Sequence, residues 1–119
     1  MDWSLFYISA ALWYFFGEHF AWSARLMAMR DAGLPLPDAI IKASRLLCGL
    51  TMLNLTIFLF VYGFMSSWLW SVIIVVGGYI AAMLLIFLTR SFQGTAMHKL
   101  GWLAMPALSI GIWWVAFAA

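Results

Sequence analysis

Apolar residues run through this sequence in long blocks, and the charged residues collect between the blocks. The longest block, residues 46–89 between Arg45 and Arg90, holds 44 residues without a charged side chain. As one helix it would measure roughly 66 Å at ~1.5 Å per residue, against a hydrocarbon core of ~30 Å. The block therefore crosses a bilayer, turns and crosses back, and Ser66 and Ser67 supply a tight turn near its middle. Two further apolar stretches flank it. The pattern predicts an all-α, polytopic membrane protein with four transmembrane helices in an up-down bundle, over residues 3–24, 46–65, 68–89 and 100–117 of one integral membrane domain, 1–119. Each span is close to the ~20 residues that a crossing needs. Each must be helical, because backbone amides find no water in lipid.

The polar links are unequal. Between the first and second spans, helical character is expected to persist past Ala24 to Ala32, with Gly33 as the stop. Leu34, Pro35, Leu36 and Pro37 break it, Pro37 suits the first position of a new helix, and the charge of Asp38 favours that helix start. The result is a short cytoplasmic helical hairpin extension projecting some 10–15 Å at ~1.5 Å per residue. Arg25 and Arg45 would stand level in it, each ten residues from a tip near Pro35. The other polar link, 90–99, contains Gln93 and Gly94 and is expected to be a short loop.

Composition agrees with lipid as the main solvent. The chain is 67% hydrophobic and 8% charged, with a mean hydropathy of +1.05, where soluble domains carry about 25% charged residues. All six cations fall in the two links: Arg25, Arg30, Lys42 and Arg45 in the first, Arg90 and Lys99 in the second. They flank apolar spans rather than form a continuous basic face, which argues against nucleic acid as a partner and for anionic headgroups. Basic short loops stay cytoplasmic. The expected location is therefore a bacterial inner membrane, with both termini and the Ser66–Ser67 turn on the periplasmic side. Trp3, Trp68, Trp70, Trp113 and Trp114 would form the outer belt, Trp22 and Trp102 the inner one, and Trp13 would lie mid-membrane. The N-terminal stretch has no basic region before it and is rich in aromatic residues, so it reads as a retained span rather than a cleaved leader. The single cysteine, Cys48, excludes an intrachain disulfide and is expected to be a small buried residue.

The chief anomaly is Glu18 followed by His19, inside the first span. Ionisable groups at membrane depth are costly and should face protein or water. Counting from the Pro35 tip puts Glu18 level with position 52 of the second span, near Thr51 and Asn54. A polar layer of Glu18, His19, Thr51 and Asn54 is thus the candidate intramembrane site, with Glu18 shielded from lipid and within reach of Asn54 or Thr51. Adjacent residues point ~100° apart on a helix, so Glu18 and His19 cannot both face the same neighbour. The first reading is a structural polar clamp, or Glu18 extending toward Arg25 or Arg45; the second is a proton or cation site. Asn54 by itself is more often interhelical glue than a ligand group. Small residues four apart (Gly17 and Ala21, Gly77 and Ala81, Gly78 and Ala82, Ala107 and Gly111) mark faces where helices can approach closely, and Pro106 should kink the fourth span. His98 lies too shallow to pair with His19 on a haem, and no cysteine cluster completes a metal site, so no cofactor or metal is expected. No nucleophile–base–acid set, phosphate loop or paired carboxylates occur, which points away from an enzyme.

Three readings remain open. The first is a structural or accessory subunit that packs against other membrane subunits or itself. The second is a small oligomeric proton- or cation-coupled transporter or channel using Glu18. The third is a phage-type holin, although the usual charged C-terminal tail is missing from Val115-Ala116-Phe117-Ala118-Ala119. The size, four spans and a glutamate in the first span resemble the small multidrug resistance transporters. The resemblance ends there, since Glu18 is followed by His19 and the first link is a projecting basic hairpin, so no family is assigned.

Overall fold

The computed structural model describes residues 3–35, 38–88 and 95–118, with the side chains of 95–98 and 118 left aside. All regular structure among these residues is helical. Helix α1 is Trp3–Asp31 and α2 is Asp38–Met65. Helix α3 is Trp68–Leu88, with a π-helical turn at Ile73–Gly77. Helix α4 is Thr95–Trp113, continued by a π-helical end, Trp114–Ala118.

Three of these are long and apolar enough to cross a membrane: α2, α3, and Lys99–Phe117 of α4. Helix α1 is the longest, at 29 residues, but it is not among the three. Its serines and the Glu18-His19 pair dilute its apolar content, and most of these polar groups are buried with Leu5, Leu12 and Trp13: Ser9, Glu18, His19 and Ser23 all face inward. A helix whose polar groups point into the bundle needs no high hydropathy to be covered by apolar neighbours.

Helix α1 touches each of the other three. Phe6 packs on Gly77 and Gly17 lies under Ile86, so α1 and α3 run parallel. Asn54 bonds Trp113, and Tyr62 meets Phe117, so α2 and α4 also run parallel. Ser44 meets His19 and Cys48 meets the Phe16 carbonyl, so α1 runs antiparallel to α2 and hence to α4. The order is up-down-up-down, with α3 and α4 on opposite flanks of the α1–α2 pair. The bundle measures 50 × 28 × 19 Å, and its long axis is close to the ~40–45 Å of a bilayer with its headgroups.

Local chemistry fixes the helix ends. Gly33 has φ 97°, its N–H bonds to the Arg30 carbonyl, and the Leu34 N–H bonds to the Met29 carbonyl. These two bonds make a Schellman stop, which needs a left-handed residue. Ser67 begins α3 by accepting the Trp70 N–H on its side-chain oxygen. The break between Met65 and Trp68 thus falls where the sequence pattern puts it.

Two expectations need correction. The first is the hairpin register. Ser44, not a residue near position 51, stands opposite His19. From His19 to the end of α1 is twelve residues, and from Ser44 back to Asp38 is six. Helix α1 therefore overshoots α2 by about 9 Å at ~1.5 Å per residue, with Arg30 paired to Asp38 beside its last turn. Counting from the tip assumed two helix ends of equal height. The second is the start of α4, at Thr95 rather than near position 100, so Lys99 belongs to the helix and not to a loop. No glycine or proline stands between Thr95 and Lys99, and a helix leaving lipid continues until something breaks it. Arg90, Gln93 and Gly94, like Pro37 and Thr89, lie outside the described residues.

Arg25, Arg30, Lys42, Arg45 and Lys99 gather at one end of the bundle, and Ser66 and Ser67 lie at the other. Between them Leu5, Leu12, Leu55, Phe58, Ile74 and Ile112 form the packed core.

Candidate functional site

His19 is the centre of the buried polar region. Its Nδ1 lies 2.9 Å from the Ser44 hydroxyl, which ties α1 to α2. The opposite edge of the ring rests on Gly101 of α4, where a Cβ would stand 2.8 Å from Nε2 and nearer still to Cδ2. Trp102 and Trp22 close the sides, edge-on at centroid distances of 4.8 and 5.8 Å. The imidazole and Ser44 are both completely buried. Ser23, one turn further along α1, turns its hydroxyl back to the Phe20 carbonyl.

Asn54 makes a second junction one helix over. Its Nδ2 donates to the Ser109 carbonyl at 3.3 Å, and its Oδ1 accepts the Trp113 indole N–H at 2.8 Å. The first bond uses α4's backbone and the second a side chain one turn on, so α2 grips α4 at two heights. Trp113 is thereby drawn against the bundle, stacked with Phe117 and edge-on to Phe58. Thr51 is buried in α2 one turn from Asn54 and lines the same α2–α4 groove, with Pro106 and Ser109. Thr56 bonds the Met52 carbonyl of its own helix.

A third junction was not legible in the pattern. The Trp13 indole donates to the Val75 carbonyl at 3.1 Å, inside the π-helical turn of α3. Just beyond that turn the two backbones nearly touch: a Cβ on Gly78 would stand 3.0 Å from the Ala10 nitrogen and 2.5 Å from the Ser9 hydroxyl. The small-residue spacing marked this face of α3, but nothing marked Trp13 as its partner. The Ala107 and Gly111 pair, by contrast, marks no close approach among the described residues, since a Cβ on Gly111 has open space and Ala107 is exposed.

Glu18 is shielded, at 4% exposure, and its Oε1 has no hydrogen-bond partner among the described residues. No hydrogen bond links it to Thr51 or Asn54, and the reason is rotation. Each residue turns the helix by about 100°. Gly17 faces α3 and His19 faces α4 and α2, so Glu18 falls on the α1 face between them, away from α2. The charge acting on it is that of Arg25, two turns along the same face. The four polar residues therefore fall into three separate features: His19 with Ser44, Asn54 and Thr51 on the α4 side of α2, and Glu18 on another face of α1.

No family model, curated protein or solved structure matches this chain. Its chemistry has to be read from its own residues. A serine bonded to a histidine makes two members of a hydrolytic triad, but here the pair is sealed by two tryptophans and a glycine. Among the described residues, no three of His, Cys, Asp and Glu stand together as a metal site. Cys48 is buried, with Sγ 4.0 Å from the Phe16 carbonyl.

Proposed function

We propose that this chain is a non-enzymatic, four-span subunit of a membrane assembly, with its basic end in the cytoplasm and both termini on the periplasmic side of a bacterial inner membrane. The observation that carries this reading is where the polar groups are spent. His19–Ser44, Asn54 with Ser109 and Trp113, Trp13–Val75, and Ser71 with the Leu59 carbonyl each join one helix of the chain to another. They hold four helices in one shape, while long apolar side chains such as Leu103, Ile110, Phe64 and Leu88 cover the outside. Helix α1 joins the crossing because it is packed among three helices that are themselves able to span. The main pockets among the described residues are open clefts on the sides of the bundle, which supports a packing role.

The partners are lipid and other membrane helices, including further copies of the chain, and not nucleic acid. Affinity purification from native membranes in mild detergent tests this. A membrane protein at fixed stoichiometry, or a defined homo-oligomer, is expected; a monodisperse single copy free of partners would defeat the proposal.

One observation favours a second reading, a proton- or cation-coupled transporter: the buried Glu18 Oε1, which has no hydrogen-bond partner among the described residues. Such a group is expensive in lipid and is retained where it does something. Glu18→Gln separates the two. If Glu18 is structural, the variant inserts and assembles like the parent, and no ion or proton flux distinguishes their vesicles. A flux that the parent shows and Glu18→Gln lacks would replace the first reading with the second.

A further inference from the structure

Helix α3 leaves α2 after its first turn and leans on α1, which opens a cleft between α2 and α3 floored by α1. The cleft holds about 450 Å³ and is lined by Trp13, Phe16, Phe20, Met52, Tyr79 and Met83. A second hollow, of about 200 Å³, adjoins it toward the basic end. The two share Phe16, Phe20 and Met52, so they form one continuous groove, and the second adds Arg45, Cys48 and Gly49. The walls are stiff: Phe16 stacks on Phe20, and Trp13 stands edge-on to both Phe16 and Tyr79.

From Arg45 to Met52 the groove follows seven residues of α2, about 10 Å at ~1.5 Å per residue. One leaflet's share of a ~30 Å hydrocarbon core is about 15 Å. The groove thus starts at a cation on the interface and runs some two-thirds of the way through a leaflet between aromatic walls. Arg45 is exposed and has no ion-pair partner among the described residues, in contrast to Arg30, which is paired to Asp38. A molecule that matches this arrangement has one anionic group at the membrane surface and an extended apolar tail below it.

We infer that the groove is a binding site for an anionic phospholipid, its phosphate on Arg45 and one acyl chain lying between α2 and α3 on the aromatic floor of α1. This rests on the reading that the chain spans a bilayer with its basic end at the inner interface. A single cation near a membrane surface favours an anionic lipid by about fivefold, and that is the selectivity expected here.

The test uses the full chain in nanodiscs made from equal parts phosphatidylglycerol and phosphatidylcholine, with a trace of phosphatidylglycerol carrying a photoactivatable diazirine on its acyl chain. Two readouts are taken: the phospholipid retained on the protein after transfer to mild detergent, and the residues labelled after illumination. The parent should retain phosphatidylglycerol about fivefold over phosphatidylcholine and be labelled at groove residues such as Met52 and Met83. Arg45→Gln should abolish the preference while leaving the chain in the disc. Gly49→Leu should cut retention and groove labelling together, since its Cβ would meet nothing within 4 Å and the rest of the side chain would occupy the groove. Equal retention of the two lipids, or labelling spread evenly over outward residues such as Leu103 and Ile110, would overturn the assignment. So would a partner protein cross-linked at Met52 in native membranes in place of lipid. Failure of the membrane reading itself looks different, because the chain would then not enter discs at all.

Discussion

Replacing Gly101 by alanine adds one methyl group to a place where the imidazole already sits. The new Cβ would stand 2.8 Å from His19 Nε2 and closer to Cδ2. The ring cannot swing away freely: Nδ1 is held by Ser44 at 2.9 Å, and Trp22 and Trp102 occupy its sides. Overpacking of this kind costs about 1–3 kcal/mol. If the ring yields and the bond to Ser44 is lost, about 0.5–1.5 kcal/mol is added. Against this, alanine in a helix interior is favoured over glycine by about 0.5–1 kcal/mol. The net expectation is a destabilisation of about 1–3 kcal/mol. Gly49→Ala is the matched control, because a Cβ there meets nothing within 4 Å; it should be neutral or stabilising by up to about 1 kcal/mol. Equilibrium unfolding in mixed micelles, followed by tryptophan fluorescence, compares the two. The double variant His19→Ala with Gly101→Ala completes a cycle. With the ring gone the added methyl has room, so the double should be less destabilised than the two single effects summed. Equal stability of Gly101→Ala and Gly49→Ala, or strict additivity in the cycle, would refute the packing of His19 on α4.

Two further outcomes use the same assay. Asn54→Leu removes both bonds to α4 and should cost about 1–2 kcal/mol, since interhelical hydrogen bonds in membranes average about 0.6 kcal/mol and reach about 1.7; a neutral result would mean that Asn54 does not hold α4. Gly33→Ala forces a side chain into a left-handed position, which costs about 1–2 kcal/mol, and should loosen the end of α1 where Arg30 meets Asp38; faster amide exchange confined to that turn would report it.

How much of this molecule is written in local sequence can be argued from its ends and its junctions. The 44-residue uncharged block, the serine pair and Gly33 determine where α1 and α2 stop and where α3 starts, because each acts through its own turn: an uncharged run too long for one crossing, a hydroxyl that caps, a residue that accepts positive φ. The same holds for the gathering of cations at one end, which follows from antiparallel helices of similar length. Tertiary structure alone decided who meets whom. Glu18, His19, Thr51 and Asn54, level by their heights from a hairpin tip, do not form one layer, because α1 overshoots α2 and because neighbouring residues on a helix face different ways. His19 found Ser44 and Gly101, 25 and 82 residues away, since those are the places where a hydroxyl and a missing side chain coincide. Trp13 found a carbonyl in the π-helical turn, and Gly78 let α3 close on α1, which left α2 and α3 apart and opened the groove. Such choices depend on side-chain volumes matched across distant segments. Hydropathy along the chain sets how many apolar helices must be covered, but it carries no record of which gap each side chain fills.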